Sequence, residues 1–139
     1  GAPLDLDLYQ TVKGMDVASS VAREGGILII ASSCASGAGP KSFVDVHRAC
    51  GDPIAVLQRI RREEPLGVQW QNQILSRIQM RNQVMLRSEL DDALVRSMRL
   101  EPVRSLDSAL EEAMRRLGSS AEVAVIPDGP LVLPLPAAQ

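Results

Sequence analysis

Aromatic residues, histidine and excess basic charge are scarce or absent in this sequence of 139 residues. Phe, Tyr and Trp occur once each and make up 2% of the chain, which excludes a stacking platform for bases or sugars built by this chain alone. Lys and Arg number 15 against 17 Asp and Glu, so the net charge of -2 offers no excess positive potential to a phosphate backbone. We therefore expect no nucleic-acid partner.

Signals for membranes and export are also missing from the printed sequence. No apolar run approaches the roughly 20 residues that a membrane-spanning helix needs, and no signal-peptide pattern opens the chain. The two cysteines, Cys34 and Cys50, are too few for a disulfide scaffold and too far apart for a close zinc-binding pair. We expect reduced thiols, no membrane partner and a cytoplasmic location.

The chain has no initiator Met and enters a helical pattern soon after Gly1. Its length and its 45% apolar content suit a single domain, residues 1–139, with one aliphatic core. We expect this domain to belong to a longer protein.

Alternating helical and strand patterns indicate an α/β fold. Strand-like runs lie at 27–31, 83–87, 100–103 and 122–126. Helical patterns lie at 7–15, 16–23, 41–50, from 53 onward, 68–81, 89–98 and 106–117. Strands separated by helices imply parallel crossovers, so we expect a three-layer, Rossmann-like arrangement: a mostly parallel sheet of about four strands flanked by helices. The continuous apolar run 27–31 predicts the central strand.

Several residues predict where helices begin and end. Ser88 with Asp91 predicts a capping box for the helix at 89–98. Gly51 and Gly118 stand where a left-handed residue would close the helices at 41–50 and 106–117. The latter helix also shows a regular apolar stripe, which predicts a buried face.

The small, Gly-rich segment 32–40 follows the first strand. Ligands of such sheets bind beyond the carboxyl ends of strands, which makes this segment a candidate functional loop. It does not match a P-loop, because Pro40 separates Gly39 from Lys41, and Ser42 stands where a dinucleotide motif has its third glycine. A weak phosphate nest and a plain flexible connection both remain open.

The chain has one histidine, His47, which is poor material for a metal site that takes three or four ligands. We predict no metal-binding residues in this chain. His47 is expected to be structural or to face solvent, with acid–base work as the minor alternative. A nucleophilic pair with Cys34 is conceivable, but the spacing does not mark it.

The first helix carries three polar donors on one sector and apolar residues on another. The donors are a phenol, a carboxamide and an ammonium, which belong to Tyr9, Gln10 and Lys13. Such a group can hold a carboxylate and a hydroxyl, with Lys13 supplying the charge-assisted bond. Spacing alone favours an ordinary solvated helix face.

Residues 3–14 read Pro-Leu-Asp-Leu-Asp-Leu-Tyr-Gln-Thr-Val-Lys-Gly. This stretch resembles the Pro-Leu-Asp-x-x-Leu-Tyr-Gln-x-x-Lys-Gly motif that opens the C-terminal domain of lactate racemase and its relatives. Further similar stretches cover nearly the whole chain, at 24–30, 37–43, 70–78, 105–110 and 127–129. One departure is Ser33, because relatives often carry an acidic residue just before the cysteine.

The resemblance implies a two-domain 2-hydroxyacid racemase or epimerase of which this chain is the C-terminal domain. In that family a nickel pincer nucleotide, tethered to a lysine of the N-terminal domain, accepts the α-hydride of the substrate and returns it to either face. Two N-terminal histidines act as acid and base. The implied partners are the N-terminal domain and a small 2-hydroxyacid, no cofactor is expected in this fragment, and the isolated chain is expected to be inactive.

By the same resemblance, Lys13, Gln10 and Tyr9 are the candidate catalytic residues, and together with Trp70 they bind substrate at the interdomain cleft. Lys13 and Gln10 would steady the carboxylate, Tyr9 would close one side, and Trp70 would add an apolar wall with an N–H donor. A cation that fixes the carboxylate suits a reaction in which a tetrahedral alcohol becomes planar.

Two other classes of function stay open at this point. A non-catalytic α/β module would bind a phosphorylated ligand or a protein partner through the loop Gly37–Gly39. A pure assembly domain would form a homodimer and have no ligand site.

Overall fold

The computed structural model describes residues 4–65 and 67–135. Pro3 of the opening motif lies outside the described residues. In chain order the elements are α1 Leu8–Val21, β1 Ile27–Ala31, α2 Lys41–Ala49, α3 Pro53–Arg62, α4 Gln69–Arg81, β2 Gln83–Arg87, α5 Asp92–Ser97, β3 Glu101–Pro102, α6 Leu106–Leu117 and a short 3-10 turn at Gly129–Leu131.

The strands form a parallel sheet in the order β1-β2-β3, which confirms the α/β class. β2 is the central strand, and its three middle residues are buried. The prediction that β1 is central was wrong: it lies at the edge, and Ile29 and Ile30 are only partly buried. Its apolar run is explained by contacts of α1 and α6 with the strand rather than by strands on both sides.

The prediction of a fourth strand at 122–126 was wrong. Within the described residues this segment pairs with no strand, and Val123 and Val125 are 57% and 84% exposed. Alternating apolar residues favour an extended backbone, but a strand also needs a neighbour. The third strand is shorter than predicted, because β3 includes Pro102, which has no N–H to donate to a ladder.

The two helices predicted at 7–15 and 16–23 are one continuous helix, α1. Asp7 caps it by accepting the backbone N–H of Gln10 at 2.7 Å. Gly14 does not interrupt the helix. It gives room to the 3-10 turn near the end of the chain, because Pro130 lies 3.4 Å from the place where a β-carbon of residue 14 would stand.

The main core lies between α1, α4 and one face of the sheet. Its buried side chains include Leu8, Val12 and Met15 of α1, Leu75 and Ile78 of α4, and Leu28, Val84 and Leu86 of the strands. Met85 is also fully buried, and alternation along β2 turns it toward the other face. We place α6 on that second face, because it contacts β1 while its buried residues lie outside the main core cluster. Helices therefore cover both faces in three layers.

α5 begins later than predicted. Asp91 caps it alone, accepting the backbone N–H groups of Ala93 and Leu94. Ser88 instead accepts the N–H of Leu90, so the predicted capping box does not form. The side chain of Ser88 therefore bonds within the turn that precedes α5 and not to an N–H of the first helical turn.

The other predicted helix ends had mixed outcomes. Gly118 follows α6 with a φ of 94°, as predicted, whereas Gly51 is not left-handed and α2 already ends at Ala49. The predicted buried face of α6 is incomplete: Leu106 and Leu110 are 48% and 40% exposed. None of the described helices is long and apolar enough to cross a membrane.

Candidate functional site

The four predicted site residues form two hydrogen-bonded pairs in the region where α1 packs against α4. Tyr9, Gln10 and Lys13 lie in the first two turns of α1, and each is partly buried. Trp70 lies in the first turn of α4 and is 48% exposed. The structure therefore places the four side chains at one partly open surface, which we call the α1–α4 site.

Lys13 and Gln10 form the first hydrogen-bonded pair of the α1–α4 site. The Nζ of Lys13 donates to the Oε1 of Gln10 at 2.7 Å. Since an ammonium can only donate, Gln10 must present its oxygen, which leaves its amide N–H groups to another partner. Among the residues that the structure describes, Lys13 forms no ion pair with a carboxylate.

Tyr9 and Trp70 form the second pair. The indole Nε1–H of Trp70 donates to the Oη of Tyr9 at 2.8 Å, and the rings meet edge to face at 6.3 Å. Because Oη accepts this bond, the phenol keeps its own proton to donate. The N–H that the sequence suggested for a ligand is thus engaged within the chain.

These bond directions decide what the α1–α4 site can bind. Lys13, Gln10 and Tyr9 all retain N–H or O–H donors, and the ammonium has no carboxylate beside it in the described parts of the chain. Several donors around one positive charge favour an anion with more than one oxygen. Such a donor set can hold a small anion.

The aromatic rings form a single row that starts at Trp70. The ring of Tyr9 meets Phe43 edge to face at 5.5 Å, and Phe43 meets His47 in the same way at 5.7 Å. The row runs from the half-exposed Trp70 to the fully buried Phe43 and His47. Tyr9 is therefore held between two rings, a contact that the sequence separation of 9, 43 and 70 did not reveal.

The Gly-rich loop 32–40 packs against the start of α1. Backbone N–H groups of Cys34 and Ser36 donate to Asp5 and Leu6 at 2.8 Å, and Leu8 donates to Gly37 at 3.1 Å. The N–H of Gly37 is also used, within the loop. A phosphate nest needs such amides to point at the ligand, so these bonds weigh against that interpretation of the loop.

The conceivable Cys34–His47 pair is not brought together. Cys34 is buried, and its Sγ lies 3.3 Å from the Oγ of Ser32 and 3.6 Å from the Oγ1 of Thr11. His47 interacts instead with Arg99. Cys34 is thus a buried residue among hydroxyl groups rather than half of a nucleophilic pair.

His47 is fully buried, so of the two expected roles the structural one holds. The guanidinium of Arg99 donates to the backbone oxygens of His47, at 2.9 Å, and of Cys50, and it lies 3.3 Å from the imidazole Nδ1. Burial and, second, the charge of Arg99 lower the pKa of His47 from 6.5 to about 4. We call this the Arg99–His47 cluster. Sequence reasoning missed Arg99, because no spacing signal connects positions 47 and 99.

The donor set of the chain does not fit a metal centre. In the parts of the chain that the structure describes, no three His, Cys, Asp or Glu residues lie close enough to hold a metal ion. The α1–α4 site offers an amine, an amide and a phenol, which are hydrogen-bond donors toward an anion.

Known proteins are similar to this sequence over nearly its whole length. Residues 1–133 match the family described as the lactate racemase C-terminal domain. The chain is 35% identical over 137 residues to the lactate racemase of Thermoanaerobacterium thermosaccharolyticum, which covers 96% of this chain and 32% of that protein. It is 37% identical over 133 residues to the lactate racemase of Lactiplantibacillus plantarum, which covers 93% of this chain and 31% of that protein.

The fold is shared as well. The solved structure of the lactate racemase apoprotein from Thermoanaerobacterium thermosaccharolyticum matches with a TM-score of 0.91 at 34% identity, over 96% of this chain and 33% of that chain. Fold and site define the class as an α/β domain with an anion-compatible helix face. The chain belongs to the lactate racemase C-terminal domain family. It spans about a third of the length of the lactate racemases that it matches.

Proposed function

We propose that residues 1–139 are the C-terminal domain of a two-domain 2-hydroxyacid racemase and form the substrate-binding side of an interdomain active site. Membership of the family supports the identity of the domain. The threefold greater length of the matched lactate racemases supports an N-terminal domain as the partner. A cytoplasmic location stays a prediction.

The pair of Lys13 and Gln10 carries the proposal. The ammonium of Lys13 and the amide N–H groups of Gln10 hold the carboxylate of the substrate from one side, with Lys13 supplying the charge-assisted bond. With no carboxylate beside it in the described part of the chain, Lys13 has its charge available for a ligand.

Tyr9 and Trp70 act on the other half of the substrate. The phenol O–H donates to the substrate hydroxyl, while Trp70 fixes the orientation of the phenol through its N–H and adds an apolar wall. A 2-hydroxyacid is then held at two points while its α-carbon changes from tetrahedral to planar. Fixing the carboxylate during this change is a way to favour the transition state.

The nickel pincer nucleotide and the acid–base groups are assigned to the N-terminal domain. In the described parts of the chain no three His, Cys, Asp or Glu residues lie close enough together to hold a nickel ion. His47 is fully buried and its pKa lies near 4, which makes it unsuited to accept and return protons at neutral pH. Within this proposal the isolated chain is inactive, because it only binds and orients the substrate.

Replacing Lys13 with Ala in the parent racemase tests the proposal. Truncating one partner of a desolvated charge pair typically costs about 2 to 5 kcal/mol, so we expect kcat/KM to fall by roughly thirty-fold to a few thousand-fold. The melting temperature should hardly change, since among the described residues Lys13 bonds only to the side chain of Gln10. Racemisation kinetics and thermal melts measure the two effects.

Lys41 provides the matched control, because it is the other lysine of the chain and forms an exposed pair with Asp45. Lys41→Ala should leave kcat/KM unchanged. A Lys13→Ala enzyme as fast as the Lys41→Ala enzyme would remove Lys13 from the site. Protection by substrate that maps to residues 32–42, and not to α1, would favour the loop as the binding site instead.

A further inference from the structure

The Gly-rich loop 32–40 has no role in the proposed chemistry, yet it makes a close contact with the α1–α4 site. Gly39 has a φ of 88°, and a β-carbon added there would lie 2.6 Å from the Cβ of Tyr9. Real β-carbons do not approach other atoms so closely. Only glycine therefore allows the loop to lie against α1 at the position of Tyr9.

A comparison with Gly37 separates two reasons for a glycine at position 39, which are the left-handed backbone and the lack of space for a β-carbon. Its φ of 89° matches that of Gly39, but a β-carbon added at Gly37 would meet nothing within 4 Å. Both positions favour glycine for their left-handed backbone. Gly39 alone is also required for the approach to Tyr9.

The segment after the loop supplies a second contact to the same ring. α2 begins at Lys41, directly after the loop, and places Phe43 edge to face with Tyr9 at 5.5 Å. Phe43 is fully buried, so its ring provides a fixed surface. Trp70 contacts the phenol from α4, and the phenol is held between the two rings.

We propose that Gly39 and Phe43 are positioning residues for Tyr9. The loop and the start of α2 seat the phenol so that its Oη meets the N–H of Trp70 and its own O–H stays directed out of the chain. The seating follows from contacts within this chain, whereas its consequence for catalysis rests on the proposed function. The loop would thus act as a support for α1 rather than as a ligand site.

The single Trp of the chain gives a direct measurement of the seating. A 1H–15N spectrum of the 139-residue chain shows one indole N–H signal, which belongs to Trp70. Tyr9→Phe removes the oxygen that accepts this N–H. The upfield shift of the indole signal in that variant therefore shows what the loss of the Trp70–Tyr9 hydrogen bond looks like. Gly39→Ala is expected to move the signal in the same direction, while Gly37→Ala, at nearly the same φ, leaves it at the wild-type position.

Kinetics of the parent racemase give the second measurement. Because Lys13 and Gln10 still hold the carboxylate, Gly39→Ala should lower kcat about tenfold relative to Gly37→Ala and change KM little. Both alanine variants place a side chain at a φ near 90°, so a loss caused by that φ alone would also appear in Gly37→Ala.

The two measurements separate the inference from the proposed function. An indole signal that is the same in Gly39→Ala and Gly37→Ala overturns the positioning role. A shifted signal with unchanged kcat in both Gly39→Ala and Tyr9→Phe supports the seating and contradicts a role of Tyr9 in the reaction. If Gly39→Ala does not fold, Phe43→Leu decides: a shifted indole signal supports the positioning role, and a wild-type signal overturns it.

Discussion

The α1–α4 site and the Arg99–His47 cluster each combine a cation with polar partners, but they use the cation differently. In the cluster, the donors of Arg99 are directed at the backbone oxygens of His47 and Cys50 at the end of α2. In the α1–α4 site, Lys13 bonds to another side chain at a partly open surface, and to no backbone oxygen of the described residues. Arg99 thus bonds to the carbonyl groups at the end of α2, whereas the ammonium of Lys13 can bind a ligand.

This difference separates groups that stabilise the fold from groups that can serve a ligand. The last carbonyls of a helix lack partners within the helix, and Arg99 supplies donors from a distant part of the chain. Lys13, by contrast, bonds to no backbone group within the part of the chain that the structure describes. Removing each cation should therefore affect a different property of the protein.

The largest effect on stability is expected for Arg99→Ala. This change leaves partly buried carbonyls and the fully buried imidazole of His47 without a charged donor, so we expect the free energy of unfolding to fall by about 3 to 4 kcal/mol. Urea denaturation measures it. Arg96→Ala is the matched control, because its exposed pair with Asp92 should contribute little. Equal midpoints for the two variants would contradict the role of Arg99.

Lowering the pH should reduce the free energy of unfolding by a somewhat smaller amount. The pKa of His47 is about 4 in the folded chain and 6.5 as an ordinary value, so the unfolded chain takes up a proton first as the pH falls. The resulting stability is fully present above pH 6.5 and is lost between pH 6.5 and 4, by about 3 kcal/mol. Urea midpoints of the wild type and His47→Gln across this range isolate the effect. Parallel pH curves for the two proteins would disprove it.

The smallest effects concern two helix caps. Asp7→Ala and Ser105→Ala should each lower the free energy of unfolding by about 1 kcal/mol, because each removes the acceptor of an N–H in the first turn. Only Asp7 caps the helix that carries Tyr9 and Gln10. Racemase activity should therefore fall for Asp7→Ala and stay unchanged for Ser105→Ala. Equal activities of the two variants would show that the cap of α1 does not influence the α1–α4 site.

The fold could be predicted from the sequence where local patterns decide it. The helices α2, α4 and α6 and the strands β1 and β2 follow from periodicity and from breakers such as Gly118. The strand predicted at 122–126 and the central place of β1 depended on which segments become neighbours. Periodicity within one segment does not contain that information.

The candidate site could be predicted in part for the same reason. Tyr9, Gln10 and Lys13 are close in sequence, so helical spacing brings them to one surface. The bond from Trp70 to Tyr9 joins α4 to α1, and the contact of Gly39 depends on how the loop lies on α1. These are long-range contacts, and a single sequence gives no signal for them.

The most direct test of the account is the binding of lactate to the cofactor-loaded parent protein, measured by isothermal titration calorimetry. Lys13→Ala should weaken the binding roughly tenfold or more, whereas Arg99→Ala should bind like the wild type once values are corrected for the folded fraction. Wild-type affinity in Lys13→Ala would contradict the claim that α1 holds the substrate carboxylate.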